Sequence, residues 1–176
     1  HFTIHSFPTR RSSDLDPRSL YVPLGKTELE KEIQHRINRV DAWDLEKQMD
    51  ELRIFKQSHT LRIAAADVAG LIPLMKVSDR LTYLAETVLD VVLTLAWGHL
   101  VDKYGRPEKL ASEDCKAFAM VAYGKFGGYE LGYGSDLDLV FLHAARRGYT
   151  TGGRLSGIDN HQFYVRLGQR VIHFLT

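Results

Sequence analysis

The first half of the chain has the residue spacing of helices. Apolar residues recur every three or four positions in residues 26–40, in about residues 42–69 and in residues 78–105. This spacing places the apolar side chains on one face of a helix. Gly70 and Pro73 interrupt the pattern and separate the second predicted helix from the third.

Particular residues predict the ends and faces of these helices. Ser78 is placed as the N-cap of the third helix, with Asp79 in its first turn, where a negative charge is favoured by the helix dipole. Residues 53–62 of the second helix are a candidate for a bend. The apolar positions of that helix are Leu45, Met49, Leu52, Phe55, Leu61, Ile63 and Val68.

The pattern then changes to that of strands. An apolar run, residues 118–123, leads into a glycine-rich loop that ends at Ser135, and a second apolar run follows the loop, which is typical of two strands and their connection. Asp136 and Asp138 stand at the start of the second strand. Because alternate residues of a strand point to the same face, we expect the two carboxylates to project together. The residues expected to face the core instead are Leu137, Leu139 and Phe141.

The end of the chain combines a loop with a helix. Residues 143–157 are rich in glycine and basic residues and are predicted to form a surface loop. Asp159 is the predicted N-cap of the final helix, with Gln162 in the capping-box position. The apolar stripe of that helix is Phe163, Leu167, Val171 and Phe174.

Composition excludes several functional classes. The 176 residues carry a net charge of only +1, whereas a dedicated nucleic-acid binder usually has a basic excess. The single cysteine, Cys115, excludes an internal disulfide and a multi-cysteine zinc site, and it is consistent with a reducing cytoplasm. The longest apolar stretch, residues 88–97, is too short to span a bilayer, so we expect no membrane span.

The N-terminal residues are unlike the rest of the chain. Residues 6–15 correspond to the translation of a DNA string that resembles a widely used sequencing adapter. We therefore expect residues 1–15 to be an artefact of read assembly and exclude them from the fold prediction. The final helical pattern also stops at Thr176 without a C-cap, so the chain is expected to be a fragment.

The Asp136 and Asp138 pair is the main candidate for chemistry. Two hard oxygen ligands beside a flexible glycine loop are what a magnesium–nucleotide site needs. The alternative is a solvated acidic face. Two charges at the start of an apolar strand are unfavourable, however, unless a ligand compensates them.

Basic residues are weaker candidates for phosphate binding. Arg166 and Arg170 lie four positions apart and share a helix face with His173, so this pair could bind a triphosphate, although a solvated face is the simpler interpretation. Three isolated residues of the helical part are more simply interpreted as surface or ion-paired groups. They are Arg62, Lys76 and Arg80.

Several segments together resemble one enzyme family. Residues 124–139 closely resemble the signature of the glutamine synthetase adenylyltransferases, which are bifunctional adenylylating and adenylyl-removing enzymes. The resemblance extends to residues 61–70, 75–79 and 162–174. It therefore covers the chain from about residue 16 onward.

This resemblance implies a fold and a domain organisation. The fold is expected to be α/β (α+β), with a DNA-polymerase-beta-like nucleotidyltransferase core preceded by a long helical lead-in. Residues 16–110 would form the lead-in and residues 111–176 an incomplete core. The segments look most like the C-terminal, adenylylating domain of the family.

The resemblance also implies a reaction, namely transfer of AMP from ATP to a tyrosine hydroxyl of glutamine synthetase, which regulates nitrogen assimilation. Asp136 and Asp138 would hold two Mg²⁺ ions. Glutamine synthetase is the implied partner, and a PII-type signalling protein would act through the full-length enzyme. The residues implied to contact or position the nucleotide phosphates are Lys125, Gly127, Gly128 and Ser135.

One feature of the family pattern is missing, and several alternatives stay open. Such enzymes use a third carboxylate on a later strand, which this chain does not reach, so we expect the chain alone to be impaired or inactive. Asp159 does not replace this carboxylate, because it caps a helix. The alternatives are the adenylyl-removing copy of the enzyme, another polymerase-beta-type nucleotidyltransferase, and a non-catalytic nucleotide-binding interaction module.

Overall fold

The computed structural model describes residues 22–112 and 115–176. The segment interpreted as an adapter artefact, residues 1–15, lies outside the described residues. The helices and strands are α1 Lys26–Ile37, α2 Leu45–Val68, α3 Leu74–Tyr104, β1 Gly105–Pro107, β2 Phe118–Ala122, α4 Gly124–Gly127, β3 Leu139–His143, β4 Thr150–Gly152 and α5 Asn160–Leu175.

Helix α3 is the central element, because α1, α2 and α5 all pack against it. Its buried residues, such as Leu84, Val92 and Trp97, form much of the core. By length and composition alone α3 could cross a membrane, but that test is also passed by the core helix of a globular protein. In this structure the buried residues of α3 pack against three other helices.

The predicted start of α3 was wrong. The helix begins at Leu74, with Pro73 as the N-cap, and Ser78 lies one turn inside. The Pro73 carbonyl accepts hydrogen bonds from the backbone N–H of Lys76 and of Val77, at 2.8 and 3.3 Å. These bonds start the helix four residues before the side chain that was expected to cap it.

Helix α2 differs from its prediction on one face. It runs without interruption through residues 53–62, where a bend was a candidate. Leu52, Phe55 and Ile63 are buried as expected, but Leu61 is 71% exposed and Val68 is 91% exposed. The helical period explains this difference, because the buried face continues through His59 and Ala66, which leaves Leu61 and Val68 on the solvent side.

The strands form two small antiparallel sheets. In one of them β2 pairs with β3, and Met120 lies opposite Phe141. In the other, β1 pairs with β4, so the prediction of a surface loop over residues 143–157 was wrong for β4. Neither β1 nor β4 has an apolar alternation, which is why the pattern gave no signal for this pair.

Helix α5 has the predicted N-cap and buried stripe, and it supports the β2–β3 sheet. Asp159 Oδ1 accepts hydrogen bonds from the N–H of His161 and of Gln162, at 2.8 and 3.4 Å. The predicted stripe is buried, and a side chain added at Gly168 would lie 3.2 Å from the Phe141 ring. The sheet therefore lies directly on the helix.

Candidate active site

Two buried residues hold the glycine-rich loop against the core. Phe126 is 5% exposed and Leu131 is 4% exposed, although most of the loop around them is open to solvent. The Tyr123 N–H donates to the Asp138 carbonyl at 2.9 Å, which continues the β2–β3 pairing by one more residue. This bond places the start of the loop beside the two aspartates.

Asp136 and Asp138 precede β3, which begins at Leu139 rather than at the aspartates. Burial alternates along this segment, and both aspartates are exposed. Among the described residues, neither carboxylate has a hydrogen-bond or ion-pair partner. The two acids are thus available on the exposed side. The alternate residues pack against the core as predicted, namely Leu137, Leu139 and Phe141.

Gly124 is a site residue whose role the sequence pattern did not reveal. Its φ angle is +57°, which residues other than glycine rarely adopt, and a Cβ at this position would overlap the Asp138 carboxylate. Only glycine therefore lets the Asp138 side chain lie over the first turn of α4. The signal in the sequence was weak, because Gly124 is one of several glycines in the same loop.

The two predicted phosphate-contacting glycines differ from each other. A Cβ at Gly127 would lie 2.6 Å from the Ala122 carbonyl oxygen, so this glycine is required for α4 to pack against the end of β2. A Cβ at Gly128 would meet nothing closer than 3.5 Å. Gly127 thus has a packing role whatever the ligand, whereas Gly128 is free to admit one.

Ser135 and Lys125 are both near the loop surface but differ in their contacts. The Ser135 hydroxyl accepts a hydrogen bond from the Gly132 N–H at 2.9 Å, which leaves its own proton available for donation. Lys125 is exposed, and no carboxylate among the described residues pairs with it. Both side chains can therefore contact an anion without breaking an ion pair.

Two tyrosines connect the loop to the helical part of the chain. The Tyr133 hydroxyl donates to Asp67 Oδ2 at 3.0 Å, and the Tyr129 hydroxyl donates to Glu86 Oε1 at 3.2 Å. Glu86 also pairs with Lys26 at 2.8 Å. Burial, followed by the bond to Asp67, raises the pKa of Tyr133 to about 12. These contacts were not predicted, because sequence patterns do not report pairs that are 43 and 66 positions apart along the chain.

Two of the three isolated cations of the helical part have structural partners. Lys76 pairs with Asp79 at 2.9 Å, and Arg80 donates to the Leu24 carbonyl at 3.1 Å. This confirms the simpler interpretation of these two residues as surface and structural groups.

Comparison with known proteins identifies the family. Residues 3–176 match the family model of the glutamate-ammonia ligase adenylyltransferases. The chain belongs to this family. It is 50% identical over 171 residues to the bifunctional glutamine synthetase adenylyltransferase/adenylyl-removing enzyme of Nitrosococcus oceani. That alignment covers 96% of this chain but only 18% of the relative, so the chain spans about a fifth of its length.

Family membership confirms the expected fold class, an α/β nucleotidyltransferase-type fragment with a long helical lead-in. The boundary expected near residue 110 and the adapter interpretation of residues 1–15 stay predictions. The match itself begins at residue 3.

The donor set at the site of this family member suits magnesium, which prefers carboxylate oxygens. Asp136 and Asp138 supply such oxygens, both exposed, and the Gly124 backbone leaves open space where a Cβ would otherwise meet Asp138. Across residues 22–112 and 115–176, the structure places no three His, Cys, Asp or Glu side chains together as metal ligands. The described residues therefore provide two carboxylates and no complete metal-binding cluster.

Proposed function

We propose that Asp136 and Asp138 form part of an adenylyl-transfer site, which moves AMP from ATP to a tyrosine hydroxyl of glutamine synthetase. The single observation that carries the proposal is the pair of exposed, unpartnered carboxylates beside the glycine loop. Family membership supports the same chemistry, because the N. oceani relative is named as an enzyme that adenylylates glutamine synthetase.

The proposed reaction assigns a task to each part of the loop. Asp136 and Asp138 would hold two Mg²⁺ ions, which when bound neutralise phosphate charge and favour attack by the hydroxyl. Lys125 and the Ser135 hydroxyl would hold the phosphates by charge and by hydrogen bonding. Gly128 would let the backbone approach them closely.

The bond changes of the proposed reaction are those of an in-line displacement. The tyrosine oxygen forms a bond to the α-phosphorus while the bond to pyrophosphate breaks, and the hydroxyl proton is released. Because phosphoryl and nucleotidyl transfers depend mainly on positioning and charge stabilisation, the anchoring of the loop by the buried Phe126 and Leu131 supports this assignment.

The chain on its own is expected to turn over slowly or not at all. Enzymes of this superfamily use three carboxylates, and the described residues bring together only the two aspartates. Binding and turnover are therefore separable. We expect the chain to bind magnesium–ATP without efficient transfer, and AMP transfer by the 176-residue chain at the rate of a full-length enzyme would contradict this expectation.

Calorimetry of magnesium–ATP binding tests the metal assignment. Asp136→Asn combined with Asp138→Asn should abolish the magnesium-dependent part of ATP binding. Glu30→Gln combined with Asp90→Asn is a matched control, because both residues are exposed and the change in charge is the same. Equal binding by all three proteins would contradict the assignment.

The same carboxylates would also serve the reverse direction, in which inorganic phosphate removes AMP from the modified tyrosine. The name of the N. oceani relative includes both activities. Two assays distinguish the directions in an enzyme that contains this segment. Unmodified glutamine synthetase with ATP measures addition, and adenylylated glutamine synthetase with phosphate measures removal. We propose addition, in the cytoplasm, with control by a PII-type protein through other parts of the enzyme.

A further inference from the structure

A cavity separate from the aspartate site lies between the end of α3 and one face of α5. Its volume is about 410 Å³, and Lys103, Tyr104, Arg166 and Arg170 line it. None of its lining residues belongs to the glycine loop or to the Asp136–Asp138 segment. A volume of this size is in the range of small-molecule sites, roughly 300–1,000 Å³.

The charges on the cavity wall all have the same sign. Among the described lining residues there are three basic side chains, Lys103, Arg166 and Arg170, together with two histidines, and there is no carboxylate. None of the three cations forms an ion pair with a described residue. The nearby Asp102 carboxylate is not part of the lining and pairs with Arg154, although its charge still acts on His99.

An aromatic ring, Tyr104, lies close to two of the cations. Arg166 and Arg170 are half-buried, and the Arg166 guanidinium carbon lies 4.7 Å from the centroid of the Tyr104 ring. The Lys103 ammonium lies 5.3 Å from the same centroid. The Tyr104 ring is thus within cation–π distance of two of the cations that line the cavity.

A histidine inside the cavity is affected by this positive field. Burial lowers the pKa of His99, the Arg170 charge lowers it further, and Asp102 acts in the opposite direction. The His99 ring is oriented by Gln48, whose side-chain oxygen lies 3.0 Å from Nε2. The cavity is therefore electropositive even with its histidines neutral.

Converging, half-buried cations without a counter-charge are unfavourable unless an anion compensates them. Arg166 and Arg170 are one helical turn apart, which brings their guanidinium groups within reach of one ligand. The planar guanidinium group binds phosphate oxygens through two parallel hydrogen bonds. Geometry and charge together thus favour a ligand with more than one phosphate.

We propose that this cavity binds the oligophosphate group of a small ligand, at a site distinct from the Asp136 and Asp138 carboxylates. The recognised chemistry is the oligophosphate, which a nucleoside triphosphate and inorganic tripolyphosphate share. The proposal does not depend on the adenylyl-transfer reaction, because it uses other residues and requires no magnesium.

Calorimetry with two probes, sodium tripolyphosphate and ATP, each in the presence of EDTA, tests the proposal. The wild-type chain should bind both at one saturable site. Arg166→Gln combined with Arg170→Gln should weaken binding by about tenfold or more, since charge-assisted hydrogen bonds are lost. Equal affinities for the two probes would indicate that the site recognises the phosphates alone. Tighter binding of ATP would indicate that the same site also contacts the nucleoside.

Three further proteins make the test specific. Arg146→Gln combined with Arg147→Gln removes the same charge from exposed positions and should bind like the wild type. Arg166→Lys combined with Arg170→Lys keeps the positive charge but loses the planar guanidinium group that makes two parallel hydrogen bonds. A folded variant of this kind should bind with intermediate affinity. Asp136→Asn combined with Asp138→Asn should keep tripolyphosphate binding.

Three results would overturn the proposal. They are no saturable binding of either probe by the wild type, equal weakening in both arginine pairs, and loss of tripolyphosphate binding in the aspartate variant. The last result would show that the cavity and the aspartate site are one site. Failure of magnesium–ATP binding alone would contradict only the proposed adenylyl-transfer function.

Discussion

The helical region α1–α3 and the loop region around β2 and β3 differ in which side chains they bury and which they expose. In the helices, apolar side chains such as Ile33 and Phe55 are fully buried. In the loop region the acids are exposed, Gly124 has a left-handed backbone, and Leu142 is 54% exposed. The first region obtains its stability from burial, and the second keeps charged groups accessible to a ligand.

The contrast also shows how the two regions depend on each other. The loop has few buried anchors of its own, and its tyrosines bind carboxylates of α2 and α3. A rigid scaffold that positions exposed functional groups is the usual arrangement of a binding site. Substitutions in the helices should therefore change stability, and substitutions in the loop should change ligand binding with smaller effects on stability.

The largest expected effect is on the helical core. Phe55→Ala should lower the free energy of unfolding by about 3–5 kcal/mol, because Phe55 is completely buried and the cavity left behind does not refill. Urea unfolding followed by circular dichroism measures this change. Asp136→Asn is the comparison in the loop and should change the same quantity by less than about 0.5 kcal/mol. Similar losses of unfolding free energy in both variants would contradict the proposed difference between the two regions.

A smaller effect is expected at the glycine that adjoins Asp138. Gly124→Ala should cost about 1–3 kcal/mol of stability, because the side chain is strained at positive φ and overlaps the carboxylate. It should also weaken magnesium–ATP binding. Gly128→Ala is the matched control for stability alone, with room for its methyl group, and should cost less than about 0.5 kcal/mol. Equal stability of the two variants would contradict the role assigned to Gly124.

The connection between the regions is expected to contribute less. Tyr133→Phe removes the bond to Asp67 and should cost about 0.5–1 kcal/mol, since the pair is partly exposed. Tyr149→Phe is the control, because Tyr149 is exposed and its hydroxyl has no hydrogen-bond partner among the described residues. Chemical denaturation compares the two variants. No difference between them would show that the contact adds nothing to stability.

The raised pKa of Tyr133 gives this contact a pH dependence. Its folded pKa of about 12 is above the ordinary value of 10.0, so the folded state keeps the proton longer than the unfolded state does. The stabilisation is therefore present below pH 10 and lost as the pH rises through about 12. The Tyr133→Phe variant should lose less stability than the wild type over this interval.

The smallest expected effect is a change of slope at acidic pH. Burial lowers the pKa of His59 in the folded state, against the nearby Glu32 carboxylate, 3.3 Å away. Its stabilising contribution is present above the unfolded pKa of 6.5 and is lost as the pH falls through the lower folded value. His59→Gln should flatten the fall in thermal stability between pH 7.5 and 5.5, and His35→Gln, at an exposed position, should not.

The periodic parts of the chain were predictable. The stripe of α5 and the alternation from Leu137 to Phe141 were both confirmed. The failures have identifiable causes. Ser78 has the chemistry of an N-cap, but the helix begins earlier, after Pro73. Strands β1 and β4 were missed because they have no apolar alternation and are recognised only by their backbone pairing.

The candidate site was predictable in its acids but not in its surroundings. Asp136 and Asp138 are conspicuous because charge interrupts an apolar run. The role of Gly124 depends on the position of the Asp138 side chain, and the contacts of Tyr129 and Tyr133 depend on which helices lie beside the loop. None of these contacts leaves a periodic trace in the sequence.

By itself, the sequence determined the helical lead-in, the two main strands, the family resemblance and the pair of acids. It could do so because periodicity and short motifs depend on near neighbours along the chain. Only the tertiary structure decided that Gly124 admits the Asp138 carboxylate and that α2 and α3 hold the loop through two tyrosines. Only it brought Lys103 to the same cavity as Arg166 and Arg170. These features depend on packing between distant segments, and packing is decided when the whole core forms.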